Sequence, residues 1–271
     1  MLFMSDEQVQ RMIEFSFPVS ELEFFLLILV RITCFIYIAP FYGQSNTLGR
    51  IKIGLGFFIS LLMYYTITPH AQLPYTTILG FTTIVLKEAA TGLIIGLGAQ
   101  LCTMIVSFAG SLIDMEIGLS MMNEYDPATK QSMTITGVYY QYMIMLMLII
   151  SGMYRYILRA LLDTYTLIPV NGAVFHANRL LQNMITFMSD YLIVGFRICL
   201  PVFIATTMVN AVLGILAKVA PQMNMFAVGI QIKILVGLSI LFLTVGMLPG
   251  ASDFIFTEMK RMMVGFVEGL M

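Results

Sequence analysis

Charge is what this sequence has least of. Only 11% of its residues are Asp, Glu, Lys or Arg, against 59% hydrophobic. Ordinary soluble domains carry about a quarter charged residues. A soluble fold of 271 residues could not hide so much apolar surface, so the chain reads as membrane-embedded. The mean hydropathy of +0.91 agrees. A net charge of −1 with no basic tail excludes nucleic acid as a partner.

Catalytic signatures are missing as well. There is no GxxxxGK[ST], no GxGxxG opening a helix, no HExxH and no GxSxG. The acids are scattered without a histidine beside them, and no nucleophile–base pair or metal set emerges. The expectation is a protein that is not an enzyme, with no cofactor and no metal. Three cysteines, Cys34, Cys102 and Cys199, lie far apart in apolar runs and read as small buried hydrophobes. The first twenty residues carry dispersed acids and lack the pattern of a signal peptide.

What is present is a series of long apolar runs. Six candidate membrane helices lie at 22–40, 51–68, 78–113, 132–153, 191–217 and 226–249. Helix is the one single-segment answer to backbone hydrogen bonding in lipid. The expected fold class is therefore all-α: a multi-helix integral membrane protein of about six long, partly kinked helices. The stretch 154–190 reads as a polar loop dividing four helices from two. "IAPFYG" (38–43) and "CLPVF" (199–203) read as breaks, since proline removes a helical hydrogen bond. Gly92 and Gly96, four apart, favour close helix approach. Lysines and arginines divide too evenly between alternate loops to set the orientation.

Polar groups inside apolar runs are costly, so each needs a partner or a wet cavity. Arg31, Glu88, Arg197, Lys218 and Lys233 stand out, with snorkelling to an interface as the bland alternative. Lys87 and Glu88 are neighbours, so on a helix they diverge to different partners. "FAGSLIDMEIGLSMMNEYDPATKQSM" (108–133) brings glycines and acids into an apolar run and closes at a proline. It reads either as a connecting loop or as a re-entrant element lining a path. The 23 methionines are either a compliant lining or core filler.

Several of these stretches together resemble the FliR/SctT family of type III export-gate subunits. "LLILVRITCFIYIAPFYGQSNTLGRIKIGL" (26–55) is similar to that family's opening, with Arg31, the turn Pro40-Phe41-Tyr42-Gly43, and then Arg50 and Lys52. "LKEAATGLIIG" (86–96) resembles its Glu-then-glycine segment. "NAVLGILAKVAPQMNMFAVGIQIKILVGL" (210–238) is the most specific match, and the likeness runs from about 22 to 250.

The resemblance implies a flagellar export-gate subunit in the bacterial inner membrane, at the flagellar basal body. Its partners would be P-type and Q-type gate subunits, the other flagellar export membrane subunits, and unfolded protein substrates. It implies a P-type-like body (1–185) and a Q-type-like helical hairpin (186–271). The helices would pack into a cone raised partly out of the bilayer plane.

It also implies a gate or plug at about 106–123, with Phe108, Gly110, Met115, Gly118, Met121 and Met122. Polar contacts between subunits would come from Arg31, Glu88, Arg197, Asn210, Lys218, Gln222, Asn224 and Lys233. Gln222, Asn224 and Lys233 repeat the polar turn of Q-type hairpins. Asn210 departs from the family pattern, where many relatives carry an acid. The virulence counterpart shares these motifs and is the alternative reading. A stand-alone small-molecule transporter is a further one, disfavoured by the unlike halves of the chain.

Overall fold

The computed structural model describes residues 19–44, 47–67, 75, 77–119, 123–126, 131–220, 222 and 225–271, with backbone alone at 123–126, 131–133 and 225–227. The elements run α1 (Val19–Ile38), α2 (Gly49–Thr66), α3 (Ile78–Ile117), β1 (Asn123–Asp126), β2 (Gln131–Thr134), α4 (Ile135–Ile150), α5 (Met153–Leu167), α6 (Ala177–Val219), α7 (Met225–Thr244), a 3-10 turn (Val245–Met247) and α8 (Leu248–Glu268). The architecture is that of an all-α membrane protein with one short antiparallel hairpin, Asn123 opposite Thr134.

Helix α3 is the axis of the fold and packs against α1, α4, α6 and α8. It has 40 residues, about 60 Å at 1.5 Å per residue. Thr77 caps its start by accepting from Gly80 N at 3.3 Å. Gly118 ends it in the left-handed region at φ 95°, which a Cβ would disfavour. Small residues on α3 admit its neighbours. A Cβ on Gly92 would stand 2.2 Å from the Arg31 carbonyl oxygen, and one on Gly96 would stand 3.1 Å from that of Phe35. The four-residue glycine spacing thus meets a four-residue spacing on α1.

Three helices among the described residues are long and apolar enough to cross a bilayer: Ile78–Ile117, Ala177–Val219 and Val228–Glu268. The bent pair α4 and α5 makes up to four. The expected spans at 22–40 and 51–68 fall on helices, but Glu21, Glu23 and Arg31 interrupt α1, and Arg50 and Lys52 lie in the first turn of α2.

The polar loop expected at 154–190 is corrected. It contains α5 and the first turns of α6. Helix α5 turns away from α4 by 72°, and Gly152 at φ 69° permits the corner. Its buried face, Met153, Ile157, Leu161, Thr164 and Tyr165, follows helical spacing, and Arg155, Arg159 and Asp163 lie opposite.

A further helix, α8, was not among the six expected. Pro249 sits in its first turn, where a missing N–H costs nothing. Met259, Met262 and Met263 are buried on it, so these methionines are core filler.

The boundary expected at 185/186 falls inside α6. The C-terminus is tied back to the segment before α6: Val174 N donates to Leu270 O at 2.9 Å and His176 N to Gly269 O at 3.0 Å. By contrast, α7 is little buried and packs mainly on α6. Among the described side-chain positions of α7 only Gly229 and Gly237 are buried.

Candidate functional site

Three polar groupings organise the molecule. The first joins α1, α3 and the turn after α5. Arg31 Nε donates to Glu88 Oε2 at 2.5 Å, with neither side chain exposed. Arg31 Nη1 donates to Ile168 O at 2.9 Å and Nη2 to Pro169 O at 3.4 Å. Glu88 Oε1 accepts from Asn171 N at 2.7 Å. The guanidinium also lies 4.4 Å over the Tyr165 ring, whose hydroxyl donates to Ile28 O at 3.2 Å.

Burying two charges is tolerable only when their polar atoms find partners, and here each guanidinium nitrogen and each carboxylate oxygen has one. Lys87 joins the same turn from the neighbouring position, donating to Asn171 O at 3.2 Å. The two residues diverge on the helix as expected, yet converge on one loop.

That geometry corrects the expectation that Arg31 and Glu88 contact other subunits. Both are sealed inside this chain and turn no atom outward. The pair could not be found from sequence because the two residues lie 57 apart in the chain.

The second grouping surrounds the end of α3. The expected loop at 106–123 starts later than anticipated, because 106–117 continues the helix. Phe108 stacks on α6, its ring 5.1 Å from Tyr191 and 6.1 Å from Phe196. Gly110 is a contact point rather than a hinge: a Cβ there would stand 2.5 Å from Gly137 Cα on α4. Gly118 is the helix cap, and Met115 is 62% exposed. Met121 and Met122 lie outside the described residues.

Asp114 is fully buried at the start of α4. It accepts from Thr136 N at 2.7 Å and from the Thr136 hydroxyl. A carboxylate on those first N–H groups is favoured by the helix dipole. Ser107 donates to Gln141 Oε1 at 2.9 Å one turn further along. Sequence reading had placed Asp114 in the segment without a partner. An aspartate one turn before a glycine cap was the available signal.

The third grouping is the α6–α7 tip. Asn210, Lys218 and Gln222 are exposed, and Lys233 is half-buried. Asn224 lies outside the described residues. Arg197 is exposed in the middle of α6, far from that tip. Among the described residues no three His, Cys, Asp or Glu side chains gather at metal-binding distance.

Away from these, the turn after α1 is anchored on α5. Phe41 takes φ 72°, and Tyr42 Oη donates to Tyr154 O at 3.0 Å. Burial and the nearby Tyr154 raise the Tyr42 phenol above its ordinary range. Lys52 Nζ donates to Gly43 O at 2.8 Å and closes the same turn.

The chain is similar in sequence to several known proteins. A protein of Bacillus subtilis named flagellar biosynthetic protein FliR is 29% identical over 78% of this chain and 82% of its own length. A protein of that name from Pectobacterium carotovorum is 27% identical over 89% and 91%. One from Escherichia coli is 22% identical over 89% and 92%. The family of bacterial export proteins, family 1, matches residues 22–259. With nearly the whole chain matched, from α1 into α8, this protein belongs to that family of export proteins.

Proposed function

We infer that this protein is a membrane subunit of the flagellar type III export gate. We propose that it works in the bacterial inner membrane at the flagellar basal body, joined to P-type and Q-type gate subunits and the other flagellar export membrane subunits. Together they form the channel through which unfolded flagellar proteins leave the cell. In this reading the chain is conduit and seal, not enzyme.

The observation that supports the reading best is the α6–α7 hairpin. It is long and apolar, with no described residue of α6 beyond Thr206 buried and only Gly229 and Gly237 buried among the described side-chain positions of α7, and it is tipped with Lys218 and Gln222. An apolar face of that extent is covered either by lipid or by other helices. Amides and ammonium groups at its end favour neighbours that can bond them. In this reading Asn210, Lys218, Gln222, Asn224 and Lys233 face sister subunits. The segment after Ile117 serves as the plug, held from behind by two α3 residues, Phe108 packed against α6 and Asp114 bonded to the first turn of α4. The 1–185 part acts as the body and the 186–271 part as the Q-type-like arm.

Co-expression with candidate P-type and Q-type subunits, followed by native mass spectrometry, tests it. A stable hetero-oligomer and loss of filaments in a deletion strain are expected. A monodisperse lone monomer with motility unaffected by the deletion would overturn it.

A further inference from the structure

Helix α2 packs mainly on α1 and leaves the rest of its surface open. Ile51, Ile53, Phe57, Phe58, Leu61 and Leu62 are exposed on it. Helix α5 stands beside its C-terminal half without closing on it, and a gap of about 580 Å³ lies between the two. Ile59, Leu62 and Met63 form one wall, and Leu158 and Leu162 the other.

The hydroxyls along these walls are already spent. Thr66 donates to Leu62 O at 2.9 Å, Thr166 to Asp163 O at 2.7 Å and Tyr165 to Ile28 O at 3.2 Å. The Asp163 carboxylate is the exception. It lines the gap, is exposed, and makes no hydrogen bond or ion pair among the described residues. Arg159 stands one turn earlier on α5, at a spacing that would let the two pair, and it too is exposed and unbonded among the described residues. On the other flank of α5, Asp163 also borders a cavity of about 310 Å³ shared with α8, where Glu268 adds a second exposed carboxylate. The Lys260 ammonium lies over the Tyr156 ring at 4.8 Å.

This pattern discriminates between coverings. Lipid tails suit the walls but leave Asp163 unpaired in hydrocarbon, which is costly, and an anionic headgroup would be repelled. A helix from another chain can cover the walls with apolar side chains and bring a cation to the carboxylate. The number of flanks agrees. A wall closed by several chains needs two different patches on each of them, and the α6–α7 hairpin supplies one.

We propose that the gap between α2 and α5 is a docking groove for a helix of a partner subunit. That helix presents apolar residues to the two walls and a lysine or arginine to Asp163, with an acid one turn away for Arg159. The inference rests on the export-gate reading and adds a second flank to it, separate from the hairpin.

The test is photo-crosslinking in the complex that copurifies when the full chain is co-expressed with candidate gate subunits. p-Benzoylphenylalanine placed at Leu62 or at Leu162 should crosslink to the same partner chain from both positions. Asp163→Arg should lower the crosslink from Leu162 about tenfold, the scale of one lost charge-assisted bond. Asp163→Glu should keep it within about threefold, because the charge remains. Asp163 is exposed, so neither change should move the unfolding temperature of the chain. Leu62→Glu puts a charge on the apolar wall and should lose the crosslink with Asp163 intact, which keeps the proposal testable if Asp163→Arg fails to fold. Crosslinks to lipid alone, to a second copy of this chain or to its own residues 1–18 overturn the proposal. So does a crosslink that Asp163→Arg leaves unchanged. If hairpin positions crosslink to partners while Leu62 and Leu162 do not, the groove is overturned and the export reading stands. If no partner copurifies, both fall.

Discussion

Arg31 and Glu88 bind each other across the α1–α3 contact, Nε to Oε2 at 2.5 Å, and the backbone of 168–171 gives each remaining nitrogen and oxygen of the pair a partner. Three segments distant in sequence are therefore registered by one ion pair. Removing one partner leaves an uncompensated buried charge, which costs about 3–5 kcal/mol. Glu88→Ala and Arg31→Ala should each lower the unfolding temperature in detergent markedly. The double change Arg31→Met with Glu88→Met should recover much of the loss. Single variants as stable as wild type would show that the pair is not what holds α1 on α3.

Gly92 sets the distance of the same contact. Its missing Cβ leaves room for the Arg31 carbonyl, 2.2 Å from where that atom would be. Backbone cannot swing aside as a side-chain tip can. Gly92→Ala should therefore destabilise by about 1–3 kcal/mol through overpacking. Gly214→Ala on α6, with nothing within 4 Å, should be neutral or slightly stabilising, since alanine is the better helix former. Thermal melts of the two variants side by side check the contrast. Equal melts would mean that α1 and α3 separate without cost.

Asp114 holds the first turn of α4 against the end of α3. Asp114→Asn removes the charge from a buried pair of hydrogen bonds and should cost about 1–3 kcal/mol. The loss should be local. Amide exchange at the N-terminal turn of α4 should quicken while that of α1 stays slow. If export depends on a plug held from this point, cells carrying the variant should also leak ions. Exchange unchanged at α4 would remove Asp114 as its anchor.

The hairpin tip makes a different kind of prediction. Lys218 and Gln222 are exposed, so changing them should leave the fold of the chain alone, within about 0.5 kcal/mol. Lys218→Glu combined with Gln222→Ala should instead weaken copurification of partner subunits and reduce motility. An assembly that tolerates both changes would place the subunit contacts elsewhere on the hairpin.

Amphipathic helices were the hardest to read. Helices α5 and α8 have buried faces at helical spacing but alternate them with charges, so a search for uncharged runs passed over both. The register of the α1–α3 glycines was visible as a spacing, but the helix it faced was not. The polar residues at 108–133 stand out in an otherwise apolar run. Sequence could not show that Phe108 and Gly110 are fixed contacts, because each depends on α6 or α4 arriving at that place.

By itself the sequence determined that the chain lives among apolar surroundings, that it is helical, and that its charges need quenching. Those conclusions follow from composition and from a periodicity carried by near neighbours in the chain. Only the tertiary structure decided which charges quench each other. Arg31 and Glu88 meet through a contact 57 residues apart, whereas Arg197 makes no hydrogen bond or ion pair among the described residues. No local pattern distinguishes them, since each is an ionisable side chain set in an apolar run. Pairing is a property of how the helices cross, and that is set by the summed packing of the whole chain.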